Sequence, residues 1–150
     1  MIKSSVFFSL ILFSGFAMGQ QTKIFEKSNQ KFEEAVDYFQ REQYSLAYPI
    51  LKELERSLRP ADVSNDALKY NEVSYYTIVC ALKQNEYGAD TRAREFIDFV
   101  DNAPRTEMLS FHLGEYYFRK NNFALALSAY NNTNIDHLTN REIADMKFHQ

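Results

Sequence analysis

Tryptophan is absent from this chain of 150 residues, cysteine occurs once, and glycine and proline are scarce, at 4 and 3 positions. Each shortage excludes something. A single thiol, Cys80, cannot close an internal disulfide, so packing rather than cross-linking must hold the fold. So few glycines and prolines leave little material for the turns of a β-sandwich or barrel, and favour long helices. Charge of one sign is not in excess either: 17 basic against 20 acidic side chains give a net charge of -3, which leaves no basic face for nucleic acid. Glycine-rich phosphate loops, nucleophile elbows and Cys/His clusters are missing. The sequence therefore indicates no cofactor, no metal, no small-molecule substrate and no catalytic residue, and reads as a non-enzyme.

Long apolar runs are also missing, except at the N-terminus. Lys3 precedes an almost unbroken apolar run over residues 6–16, and Ala17, Met18 and Gly19 put small residues where a signal peptidase reads. Residues 1–19 are expected to be an export leader cleaved before Gln20. The run is short of the roughly 20 apolar residues that span a bilayer, and no cysteine follows it to take a lipid.

What the chain has in quantity is aromatic side chains, 13 Phe and 10 Tyr. They recur at helical spacing. In EMLSFHLGEYYFRKNNFALALSAYNNT, residues 107–133, Leu113, Gly114 and Tyr117 share one helical face, and Phe123, Ala126 and Tyr130 share another at i, i+3, i+7. A polar turn, residues 119–122, lies between. Mid-helix glycine costs roughly 0.5 to 1 kcal/mol against alanine, so Gly114 needs the close approach of a partner helix, with Ala126 as its small counterpart. Cys80 falls in the apolar run 75–82 and is expected to be a core residue rather than a nucleophile.

Similar pairs of helices flank this unit. The first is expected over residues 23–58, where Phe25, Phe32, Val36 and Phe39 make a stripe on one helix and Leu46, Ala47, Ile50, Leu51, Leu54 and Leu58 line the other, with Pro49 in its first turn. There Ala35, Tyr38, Tyr44, Ala47 and Leu51 stand where Gly114, Tyr117, Phe123, Ala126 and Tyr130 do. The second pair is expected over 66–103, with helices at 66–85 and 90–102 and Pro104 closing the latter. Ala93 and Ala126 lie 33 residues apart, but Ala47 and Ala93 lie 46 apart. That gap implies an insertion of about a dozen residues, expected in the connector at 59–66 and in a long third helix. After residues 106–134, Thr139 or Asn140 can cap a last helix, 139–150, whose Phe148-His149-Gln150 repeats Phe111-His112-Leu113.

The central unit resembles a tetratricopeptide repeat: Leu113-Gly114, Tyr117, Phe123, Ala126 and Tyr130 match that family's helix-turn-helix pattern. The resemblance covers about residues 23–150 and implies an all-α fold, antiparallel helix-turn-helix repeats stacked as an α-solenoid. It also implies a protein or peptide partner on the concave face formed by the first helix of each pair. Phe111, Glu115, Phe118 and Arg119 are the partner-binding candidates, because aromatics and arginine are enriched among binding hot spots. The family's carboxylate-gripping subset is not matched, since Phe32 and Phe111 stand where its lysine belongs and Val36 and Glu115 where its asparagine belongs.

With the leader, the likeness implies an exported scaffold, periplasmic or outer-membrane-associated, serving bacterial cell-envelope assembly or organisation. Two alternatives stay open: an accessory repeat region of a longer enzyme, and a homo-oligomeric spacer associating through an uncovered C-terminal helix. The sequence stops in mid-repeat, which reads as the start of a longer protein. His112 and Glu115, one turn apart, are half a metal site without a third ligand, and Asp136-His137 reads as a solvated pair.

Overall fold

A computed structural model describes residues 16–58 and 64–150, and the described residues are helical with no strand among them. The chain runs α1 (Phe16–Gln40), α2 (Tyr44–Ser57), α3 (Ser64–Lys83), α4 (Ala89–Phe99), α5 (Ala103–Arg119), α6 (Phe123–Asn131), a 3-10 turn (Ile135–His137) and α7 (Asn140–His149). Most of the expected leader lies outside the described residues, as does most of the 59–66 connector. α1 begins at Phe16 rather than near Lys23 and so includes positions 16–19. Among the described residues no helix is long and apolar enough to cross a membrane.

Three helix hairpins, α1/α2, α3/α4 and α5/α6, turn in the same way. Glu42, Asn85 and Asn121 have φ of 58°, 57° and 59°. In each hairpin this left-handed residue donates its amide to the carbonyl three back, and the next amide donates to the carbonyl five back: Glu42 to Phe39 and Gln43 to Tyr38, Asn85 to Leu82 and Glu86 to Ala81, Asn121 to Phe118 and Asn122 to Tyr117. These are Schellman closures, which satisfy the last free carbonyls of a helix and reverse the chain. One turn chemistry thus recurs three times.

Counting from those turns puts the repeats in register. Ala35 and Gly114 each stand seven residues before the left-handed residue, and Ala47 and Ala126 each five after it; all four are buried. The middle hairpin carries extra residues between Asn85 and Ala89, including Gly88 at φ 74°. Part of the expected insertion therefore sits in the α3–α4 turn, not only in the connector and α3.

Packing follows the hairpins. α1 packs on α2 and α3, α2 on α3, α3 on α4 and α5, α4 on α5, and α5 on α6 and α7. One core joins Ala35, Ala47, Leu51, Leu54, Val73 and Cys80. The other runs from Tyr75 and Val79 through Phe96, Leu109 and Leu113 to Tyr130 and Met146. Cys80 is fully buried, and burial pushes its thiol up to about 12, which keeps it protonated and unreactive.

Several local expectations change. Pro104 does not close α4, which stops at Phe99; it sits in the first turn of α5, where its absent amide hydrogen costs nothing, behind an Asn102 cap that accepts from the Arg105 amide. Pro49 lies in the second turn of α2, beyond the first, at an exposed position. Gly114 is approached most closely by the Tyr130 ring: a Cβ on Gly114 would lie 2.5 Å from two ring carbons. Phe123, expected on the packing face of α6, is 57% exposed and touches only the edge of Phe118 among the rings. Thr139 caps α7 in a full capping box with Glu142.

Candidate functional site: a groove lined by the first helices

The first helix of each hairpin, together with α7, borders one groove of about 590 Å³. α1 contributes Phe39 and Gln40, α3 contributes Tyr75, Tyr76 and Lys83, α5 contributes Arg105, Met108, Phe111, His112 and Glu115, and α7 contributes Arg141, Glu142 and Asp145; Glu42 and Tyr44 stand at the α1–α2 turn. Helical phase explains this convergence: Arg105, Met108, His112 and Glu115 follow one another at i, i+3, i+7, i+10, a single stripe.

The groove's aromatic wall is closely packed. Tyr76 is edge-on to Phe39 at 4.9 Å, to Tyr75 at 5.2 Å and to Phe32 at 5.8 Å. Arg105 lies over both tyrosines, its guanidinium carbon 4.5 Å from the Tyr75 ring centre and 5.3 Å from that of Tyr76. Glu72 on α3 holds the same guanidinium by two hydrogen bonds, 2.9 Å from Nε and 2.6 Å from Nη2. Those bonds, above all, raise Arg105 beyond its already high value. A guanidinium fixed by a fork on one edge and aromatic faces below is oriented, not merely present.

A second cluster lies between α3 and α5. Lys83 Nζ donates to Glu115 Oε2 at 2.6 Å, and His112 Nδ1 stands 3.5 Å from the same oxygen. Among the described residues no group of His, Cys, Asp and Glu is placed to hold a metal ion. Burial works against the Glu115 carboxylate, but the His112 hydrogen bond and the charge and hydrogen bond of Lys83 outweigh it and hold it down to about 2. Burial holds His112 below its ordinary value; the Glu115 hydrogen bond opposes this, and the Lys83 charge adds to it. The resting cluster is thus carboxylate, ammonium and neutral imidazole. At the mouth, Tyr44 is pushed up to about 12, first by burial and then by surrounding charges that include Glu42, Glu115 and Glu142.

The four residues expected to meet a partner divide. Glu115 and Phe111 border the groove, but Phe111 is 1% exposed and its ring packs against Tyr130 and His112. Phe118 and Arg119 lie outside it. Phe118 stacks on His149 of α7 at 3.7 Å, and Arg119 Nη2 donates to the Leu82 carbonyl, closing the C-terminus of α3. Tyr44, Tyr75, Tyr76, Lys83 and Arg105 border the groove without having been singled out. Their signal was present: Tyr76 and Lys83, 36 residues before His112 and Arg119, can be aligned once Asn85 and Asn121 are recognised as equivalent turns. His137 is not simply solvated, since its Nε2 stands 3.3 Å from Glu107 Oε2, a buried oxygen that accepts no well-aligned hydrogen bond.

A larger but more open depression of about 800 Å³ lies at the α3–α4 turn beside Tyr116 and Lys120. It draws on fewer helices and has no comparable fixed aromatic wall. Compared with family models, curated proteins and solved structures, the chain matches none.

Proposed function

We propose that this chain is an exported scaffold of tetratricopeptide-like solenoid architecture that binds a protein or peptide partner along the groove of its first helices, in bacterial cell-envelope assembly or organisation. The observation that carries the reading is the groove itself, to which α1, α3, α5 and α7 all contribute. The mechanism is recognition without chemistry. Tyr75, Tyr76 and Arg105 are already held by one another and by Glu72, so little freedom is lost on their side when a partner binds. The three equivalent turns and the apolar leader-like run support the repeat and the export parts of the reading. Phe111, Glu115, Phe118 and Arg119 remain candidates in it, Glu115 and the buried Phe111 bordering the groove, Phe118 and Arg119 outside it against α7 and α3.

A second reading is favoured by one observation. Phe148 on α7 is 84% exposed and Phe123 on α6 is 57% exposed, an uncovered apolar surface through which copies could associate as a homo-oligomeric spacer. An accessory role beside an enzyme domain is the remaining alternative. Affinity capture separates these readings. The full chain, tagged, is incubated with envelope extract beside a Tyr44→Leu/Arg105→Met variant that keeps the apolar bodies but removes the hydroxyl and guanidinium. Recovery of a protein by the parent and its loss with the variant, at unchanged helicity, is the expected result. Equal recovery by both overturns the groove assignment.

A further inference from the structure

Each cation bordering the groove has an acidic partner, close for Arg105 and Lys83 and only an exposed pair for Arg141, but two of the groove's carboxylates have no basic one. Arg105 is paired with Glu72 at 2.6 Å, Lys83 with Glu115 at 2.6 Å, and Arg141 with Glu42 at 3.6 Å. That leaves Glu142 and Asp145, which border the groove from α7. Glu142 accepts from the Thr139 amide and hydroxyl through Oε2 alone, and neither acid has an ion-pair partner among the described residues. They stand three apart on one helix, a spacing that puts both on the same face. After burial, Glu142 is among the charges raising Tyr44 and Tyr75, and it weakly opposes the burial that holds His112 down, so its field reaches residues of α2, α3 and α5.

We infer that the groove takes a peptide segment bearing lysine or arginine, its cationic head between Glu142 and Asp145 and its stem along the Tyr44 and Tyr76 side. Charge complementarity is the argument: an acidic segment would meet two uncompensated carboxylates, whereas a basic one supplies the missing counter-charge and finds aromatic faces for its stem. This rests on the scaffold reading and deepens it by stating the partner's chemistry.

The test uses the full chain and two capped, fluorescently labelled octapeptides of identical apolar and polar content, one with two lysines and one with two glutamates in their place. Binding is followed by anisotropy at low and at physiological salt. The lysine peptide should bind at least about ten-fold tighter at low salt, with the preference shrinking as salt rises. In Glu142→Gln/Asp145→Asn the preference should fall to about two-fold or less. Glutamine keeps the reciprocal bond to Thr139, so α7 remains capped. Equal binding of the two peptides, a preference for the glutamate peptide, or a lysine preference that survives in the variant overturns the inference while leaving a peptide-binding groove. Binding of neither peptide overturns it too, and the scaffold reading is then decided by the capture experiment with the Tyr44 and Arg105 variant.

Discussion

The first and third hairpins are built on one plan and filled differently. Both close on a left-handed residue with the same two hydrogen bonds, and both bury a small residue seven positions before it. In α1/α2 that residue is Ala35, and the position four after the buried alanine of the second helix is Leu51. In α5/α6 the corresponding residues are Gly114 and Tyr130. A smaller residue on one helix thus accompanies a larger one on the other, as close packing at fixed helix separation demands. The outer surfaces differ as well. α2 carries Lys52, Glu53, Glu55 and Arg56, of which Glu53 meets Lys31 of α1 and Glu55 meets Arg92 of α4. α6 carries no charged residue, and its Leu125 and Leu127 are 41% and 46% exposed. The backbone plan therefore tolerates exchange of side-chain volume and of surface chemistry, provided the turn and the helix spacing are kept.

The sharpest way to break this comparison is Gly114→Ala. Helix propensity alone would make the change stabilising by about 1 kcal/mol. The added Cβ would lie 2.5 Å from the Tyr130 ring, which is 2% exposed and tied by its hydroxyl to His149 Nδ1 at 2.8 Å, so it has nowhere to go. A net loss of about 1–3 kcal/mol is expected in urea unfolding. In a Tyr130→Leu background, which copies the Ala35/Leu51 arrangement, the same alanine should cost nothing or stabilise. An alanine that costs the same in both backgrounds would show that the two hairpins do not trade volume at this contact.

Acid should distinguish the hairpins next. Counting from the turns, His112 and Glu115 correspond to Glu33 and Val36 of α1, where no such pair exists. His112 is held below its ordinary value of 6.5 in the folded chain, so the unfolded chain takes up its proton first. Stability from this group is present above about pH 6.5 and is lost as the pH falls through that value, with a slope of at most about 1.4 kcal/mol per pH unit. Glu115, held down to about 2 from 4.5, adds a second loss as the pH falls from 4.5 towards 2. Chemical unfolding of the parent and of His112→Gln between pH 7 and pH 5 checks the first: the parent should weaken and the variant should lose most of that dependence.

The smallest expected effect sharpens the turn equivalence. Glutamate is poorly suited to φ near +60°, whereas asparagine tolerates it. Glu42→Gly should therefore stabilise by about 0.5–1 kcal/mol despite loss of the exposed Arg141 pair, and Asn121→Gly should change little. Equal effects at the two sites in thermal unfolding would contradict the assignment of glutamate as the strained member.

Helices and register were legible because apolar spacing and the small residues Ala35, Ala47, Gly114 and Ala126 encode them locally. The groove was less so. Phe111 and Phe118 look alike on a helical wheel, yet one is buried under Tyr130 and the other is stacked on His149, which depends on where α7 lands. Tyr75 and Tyr76 read as interior from their apolar neighbours, and only the packing of α1, α3 and α5 brings their edges to a shared surface. The extra residues of the α3–α4 turn blurred the register of the middle repeat: Ala93 stands eight after its left-handed residue, where Ala47 and Ala126 stand five after theirs.

Hydrogen exchange on the full chain, free and bound to the protein recovered by capture, tests the central proposal most directly. Binding along the first helices predicts slowed exchange in groove-bordering segments of α1, α3, α5 and α7, with α4 and the part of α2 beyond its first turn unchanged. Protection confined to α6 and the outward end of α7, or to the charged outer faces of α2 and α4, would contradict it.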